Sequence, residues 1–216
     1  MKKLLIVLLT VVLFSITPFS LAACKETHEA RTFVKISFSS GHTVRAELFP
    51  DQAPKTVENF LRYVNAGFYE GTVFHRIISG FMVQIGGFEE RNGYFVQKTP
   101  LYDPIEGEFS ANGFTQNAIS HDTGVLSMAR TNDPDSATSQ FFICTADRPD
   151  LDGLYAAFGK VIDEESFEAL KVFDAISTSG NYLIYGTYGY PATDVPTETI
   201  SITKIEVYGE ERGSIK

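Results

Sequence analysis

Phe74-His75-Arg76-Ile77-Ile78-Ser79-Gly80-Phe81-Met82-Val83-Gln84-Ile85-Gly86-Gly87 holds two apolar segments, 73–78 and 81–85, on either side of Ser79-Gly80. Both have the length and composition of β-strands. Period-two alternation sets Arg76 on one face with Phe74 and Ile78, an odd position for a solvated charge. Strand patterns continue in both directions. Upstream, Phe33, Lys35 and Ser37 alternate with Val34, Ile36 and Phe38; Val44 to Leu48 repeats the pattern after Gly41, which reads as a hairpin. Downstream, strands are expected at 125–129, 140–145 and 156–161, and Thr199 to Val207 alternates as a closing strand. Two helices interrupt them. Pro54 opens the first, with Val57, Phe60, Leu61 and Val64 on one stripe and Gly67 after its end. The second spans 164–176, with Phe167, Leu170 and Phe173 along one side. Segments 86–123 and 177–197, rich in Gly and Tyr and weakly periodic, read as long loops. Many strands with one helix in each half predict a mostly β fold, a β-barrel capped by helices, in one domain over 31–208 with a polar tail at 209–216.

The chain of 216 residues is 44% hydrophobic and 21% charged, so it can bury a core without metal or disulfide staples. A net charge of −9 argues against nucleic acid and anionic lipid as partners. The N-terminus is an address. Met1-Lys2-Lys3 precedes the apolar run Leu4 to Phe14, and small residues lead to Leu21-Ala22-Ala23-Cys24. This resembles a bacterial lipobox: residues 1–23 are expected to be removed and Cys24 lipidated, with 24–30 as a short tether. A simple cleaved signal and an uncleaved anchor are the alternatives; Pro18 and Ser20 make a retained span less attractive. The expected location is the extracytoplasmic face of the cell membrane, held by acyl chains without polybasic help. Cys144, inside Phe141-Phe142-Ile143-Cys144, reads as a small buried hydrophobe.

Several chemistries lack their signatures. His28, His42, His75 and His121 show no metal-ligand spacing, so neither a metal nor a cofactor is expected. There is no G-x-S-x-G elbow and no phosphate-cradling glycine loop. Glu89-Glu90 and Glu164-Glu165 read as solvated charge. From the residues alone the chain is a soluble barrel that binds something apolar.

The 74–87 run is similar to the F-H-R-I-I-x-G-F-M-x-Q-x-G-D signature of the cyclophilins. Gly124 to Arg130, Ser139 to Thr145, Leu151-Asp152-Gly153, Phe158 to Val161 and Ala53 to Phe60 resemble the same family, and together cover about residues 31–208. Asp135 to Gln140 looks like its bacterial branch. The resemblance implies a closed eight-stranded antiparallel β-barrel capped by two α-helices, a monomer, and peptidyl-prolyl cis-trans isomerisation of proline-containing polypeptides.

That reaction needs no nucleophile. Amide resonance sets a barrier of about 18–20 kcal/mol, and X-Pro bonds exchange over tens to hundreds of seconds. A catalyst must favour the twisted state, in which the proline nitrogen regains its lone pair. By resemblance Arg76 is the cationic donor, with Phe81 and Gln84 as its catalytic companions. Met82, Phe142 and Leu151 join Phe81 in holding the proline ring, and Gln84 and Gln140 bond the substrate backbone and steady Arg76. Ala129, Arg130 and Thr131 are the segment that pairs with the extended peptide, and Tyr155 walls the pocket. The chain departs from many members in having Arg130 for Asn, Asp150 for Trp and Tyr155 for His. The rival reading is a non-catalytic peptide-binding chaperone on the same fold, which need not retain Arg76. A more distant one is an adhesive, lectin-like barrel using the tyrosines of 177–197.

Overall fold

The computed structural model describes residues 31–210; the expected signal peptide, Cys24, the tether and residues 211–216 lie outside them. Alternation in the first hairpin becomes burial. In β1 (Arg31–Phe38) and β2 (Thr43–Leu48), Val34, Ile36, Phe38, Val44, Ala46 and Leu48 are buried, while Lys35 and Arg45 face partly outward. The chain then forms α1 (Pro54–Asn65), β3 (Arg76–Ile78), β4 (Met82–Ile85), β5 (Phe88–Arg91), β6 (Tyr94–Gln97), β7 (Val125–Met128), β8 (Phe141–Cys144), β9 (Ala157–Val161), α2 (Glu164–Asp174), β10 (Thr178–Tyr185), β11 (Tyr188–Pro196) and β12 (Ile202–Glu210). Eight strands make one sheet in the order β12-β1-β2-β9-β7-β8-β4-β3, every pairing antiparallel. Its concave face closes on Phe60 and Tyr63 of α1 and on Leu170 and Phe173 of α2. No helix among the described residues is long and apolar enough to cross a membrane.

The sheet is a curled, open half-barrel, not the expected closed barrel. Its end strands β3 and β12 form no ladder. Among the described residues the gap is spanned by a single bridge, Val73 to Ser201, with bonds from Gly71 N–H to Ile202 O, Ile202 N–H to Thr72 O and Phe74 N–H to Ile200 O. The reason is where the chain runs: β12 meets residues 71–74, which lie upstream of β3 and whose opposite edge bonds the second sheet through the Thr72–Glu89 bridge and the bond from Val73 N–H to Phe88 O. β3 itself is flanked by β11, whose Asp194 reaches Arg76, so it never lies alongside β12.

That second sheet, in the order β11-β10-β6-β5, corrects another expectation, because its strands lie in the segments read as loops. Val73, Phe88, Phe95, Leu183 and Val195 form its own small core. The β5–β6 hairpin turns at Asn92-Gly93, both at positive φ (53° and 81°), as a two-residue hairpin loop requires.

The two helices start differently. Asp163 caps α2 in the ordinary way, accepting from Ser166 N–H at 2.9 Å. The residue before α1 is Ala53, which offers no side-chain cap. The buried carboxylate of Glu108 takes that place from afar, accepting from Lys55 N–H (2.9 Å), Thr56 N–H (2.8 Å) and Thr56 Oγ1 (2.7 Å). Its negative charge also suits a helix N-terminus. Replacing Glu108 by Ala strands two backbone donors, and is expected to lower unfolding free energy by about 2–3 kcal/mol. Urea denaturation measures this; a loss below about 0.5 kcal/mol would show that α1 needs no such cap.

Candidate active site

The site grows out of strand alternation. In β4 and β8, Val83, Ile85, Phe141 and Ile143 point into the main core. Their alternates Met82, Phe142 and Cys144 form a separate cluster with Leu151 on the outer face, against Ile78, Phe81, Ala129 and Tyr155. Register aligns the cluster: Met82 lies opposite Cys144 and Ile78, and Gln84 opposite Phe142 and Arg76. Arg76 therefore shares a face with Ile78, but not with Phe74, which is buried in the main core because the chain is not yet a strand at 74–75.

A pocket of about 90 Å³ opens here, lined by Arg76, Phe81, Met82, Gln84, Ala129, Arg130, Phe142, Leu151 and Tyr155. These are nine of the eleven residues expected to act on or bind substrate. Gln140 stands behind them, accepting from Gln84 Nε2 at 3.0 Å. It fits against Gly87, where any Cβ would overlap it. Thr131 lies outside the pocket, its N–H donating to Ser136 Oγ at 2.9 Å. Ala129 N–H is likewise engaged, by Gln140 O at 2.9 Å. Among the described residues, the main chain of Arg130 makes no hydrogen bond.

Three arginines surround the opening, each held differently. Arg76 is not bonded to a glutamine as expected; its Nε donates to Asp194 Oδ2 of β11 at 3.4 Å. Both of its Nη atoms are without a bond among the described residues. Arg130 lies over the Tyr155 ring at 4.6 Å and donates from Nη2 to Leu154 O at 2.9 Å. Arg148 covers the Phe81 ring at 3.7 Å and pairs with Asp150 at 2.6 Å, at the position of the missing tryptophan. Asp194 and Arg148 have no local sequence signal, because each meets its partner through tertiary packing.

Behind the pocket, His121 links Ser127 Oγ (3.0 Å from Nε2) to Asp152 Oδ1 (3.0 Å from Nδ1) and stacks beneath Phe142 at 6.3 Å. The order Ser-His-Asp is that of a hydrolase relay, but Ser127 is 0% and His121 1% exposed. No acyl group reaches them, so the triplet braces the pocket wall. Cys144 is equally closed off, its thiol pushed up to about 12 by burial. His75, against Phe88 at 4.4 Å, is buried with Nδ1 lacking a partner; burial foremost, with the Arg76 charge adding to it, lowers its pKa to about 3. Burial also lowers that of His121, against the pull of Asp152. No group of three His, Cys, Asp or Glu able to hold a metal occurs among the described residues.

This fold and pocket belong to proteins that act on proline-containing chains. Residues 33–207 match the family described as cyclophilin type peptidyl-prolyl cis-trans isomerase/CLD, and the chain belongs to that family. It is 40% identical over 181 residues to peptidyl-prolyl cis-trans isomerase A of Dickeya dadantii, covering 82% of this chain and 84% of that one. It is 37% identical over 185 residues to peptidyl-prolyl cis-trans isomerase cyp18 of Streptomyces antibioticus, covering 82% and 98%. Among solved structures, a cyclophilin type isomerase of Cryptosporidium parvum, determined in the presence of the dipeptide Ala-Pro, superposes with a TM-score of 0.62 at 28% identity, covering 82% of this chain and 98% of that one. The chain is thus an enzyme, a peptidyl-prolyl cis-trans isomerase.

The two buried histidines tie stability to pH. An unfolded histidine takes up its proton near pH 6.5, whereas these refuse it in the folded state. Their contribution is therefore complete above pH 6.5 and drains away as pH falls, by about 1.4 kcal/mol per pH unit for His75, with His121 adding to the loss in the same direction. Urea midpoints are expected to drop between pH 6.5 and 5, less steeply in His75→Phe. A flat midpoint over that interval overturns the assignment.

Proposed function

We propose that Arg76 drives the isomerisation by donating to the proline nitrogen as the X-Pro bond twists, with no covalent intermediate. The observation that carries this reading is a guanidinium with both Nη atoms unbonded among the described residues, at the mouth of an apolar pocket of about 90 Å³. That space suits one small ring; pockets for drug-sized ligands run to about 300–1,000 Å³. Phe81, Met82, Phe142 and Leu151 hold the ring by dispersion and burial. The unengaged main chain of Arg130 receives the extended peptide, and the Gln84–Gln140 pair orients it. A planar amide nitrogen is a poor acceptor and a pyramidal one a good acceptor, so the same donor binds the twisted state better than the ground state. Arginine stays charged at physiological pH, so the donor is always armed.

We further infer that the enzyme works outside the cytoplasm, anchored through a lipid on Cys24, on proteins that fold after secretion. The sequence Leu21-Ala22-Ala23-Cys24 after an apolar run supports this. Growth with radiolabelled palmitate is expected to label the chain in membranes, and Cys24→Ala to abolish the label. Label retained by Cys24→Ala, or none in the native chain, removes the anchor.

The mechanism is tested by NMR exchange of an X-Pro peptide. Arg76→Ala is expected to lose at least tenfold in kcat/KM, about 1.4 kcal/mol of transition-state stabilisation, while still binding the peptide. If native and variant both bind and neither accelerates exchange, the pocket is a holder, as in the chaperone reading.

A further inference from the structure

Beside the proline pocket lies a second, larger concavity. It has a volume of about 450 Å³ and is lined by Leu183, Tyr185, Tyr190, Pro191 and Ala192 of the β10–β11 hairpin. The hairpin is unlike the rest of the chain. Residues 178–196 include a single charged side chain, Asp194, and four tyrosines, in a protein that is 21% charged. Tyr188 is 71% and Tyr190 55% exposed, although a folded hairpin gains nothing by presenting them to water. Tyr185 is fixed edge-on between Phe88 (5.0 Å) and Tyr190 (5.3 Å), so the concavity has a firm wall.

The one charged residue joins this surface to the pocket. Asp194 bonds Arg76, and it lies two residues along β11 from Ala192 in the concavity wall. A regular strand advances about 3.3 Å per residue and the register of β11 is irregular between Ala192 and Val195, so the concavity begins within roughly 10 Å of the Arg76 guanidinium, up to about three residues of extended peptide. The proline pocket alone is too small to grip more than one ring. Rigid, amphipathic tyrosines contribute contact area to flexible chains at low entropic cost.

We propose that this tyrosine concavity is a second substrate subsite, taking an apolar or aromatic side chain of the same polypeptide about three residues from the proline at Arg76. The proposal rests on the isomerase reading and adds to it the class of client: segments with a hydrophobic residue at that spacing. Continuity with the pocket through Asp194 favours this occupant. The net charge of −9 disfavours an anionic lipid surface.

The test uses the full chain and four peptides around one X-Pro bond. Two are extended N-terminally and two C-terminally, with Phe or Ser three residues from the proline. Phe is expected to raise kcat/KM at least fivefold over Ser in one direction, through KM. Tyr190→Ser is expected to remove that gain and leave the Ser peptides within twofold. Tyr182→Ser, on the opposite face of β10, is expected to retain the gain. No advantage of Phe in either direction, its persistence in Tyr190→Ser, or its equal loss in Tyr182→Ser overturns the proposal. If no peptide exchanges faster with the native chain, the isomerase reading fails separately, and affinity decides the subsite. Phe peptide bound at least fivefold tighter by the native chain than by Tyr190→Ser supports it; equal binding overturns it.

Discussion

β8 is buried on both faces, and the rest of the molecule is arranged around that constraint. All four of its residues, Phe141 to Cys144, are at most 5% exposed. On one side Phe141 meets Phe60 (5.4 Å) and Tyr69 (5.5 Å), both edge-on, which ties the strand to α1. On the other side Phe142 and Cys144 floor the proline pocket. Interiors pack at crystal density, so a side chain that moves on the inner face shifts the backbone that carries the outer one. The pocket inherits the rigidity of the core, which differential binding of a twisted amide requires.

Where sequence and structure agree, the information is local. The first hairpin, α1, α2 and the strand at 141–144 follow from period-two and period-3.6 patterns within single segments. Nine of the eleven expected site residues line the pocket because the long matching runs that name them carry their spacing. Alternation puts Phe141 and Phe142 on opposite faces, and the family resemblance says which of the two faces is the pocket. Extrapolating the same alternation back to Phe74 failed, since residues 74–75 sit where the chain crosses from one sheet to the other.

What the sequence did not disclose is non-local. Barrel closure is decided by which segments meet: β12 reaches residues 71–74, upstream of β3, while β3 lies beside β11. The second sheet was read as loops although Asn92-Gly93 is a strong hairpin signal. Its strands bury few residues, so exposed tyrosines blur the alternation of β10 and β11, and its central pairing joins Phe95 to Leu183 in parallel. Asp194 on Arg76, and Glu108 on α1, are partnerships between segments that nothing in either segment announces.

These long-range partners shape the chemistry that the local motifs supply. Asp194 engages only Nε of Arg76, at a long 3.4 Å, so it orients the guanidinium without consuming the two Nη donors. A bidentate carboxylate would hold the fork closed. The neighbouring imidazole is kept neutral by burial, so His75 adds no second positive charge behind the pocket. The result is an oriented guanidinium at the mouth of an apolar ring site, its two Nη donors unbonded among the described residues. Such a site is suited to a reaction in which no proton has to leave the substrate, and in which the acceptor exists only while the bond is twisted.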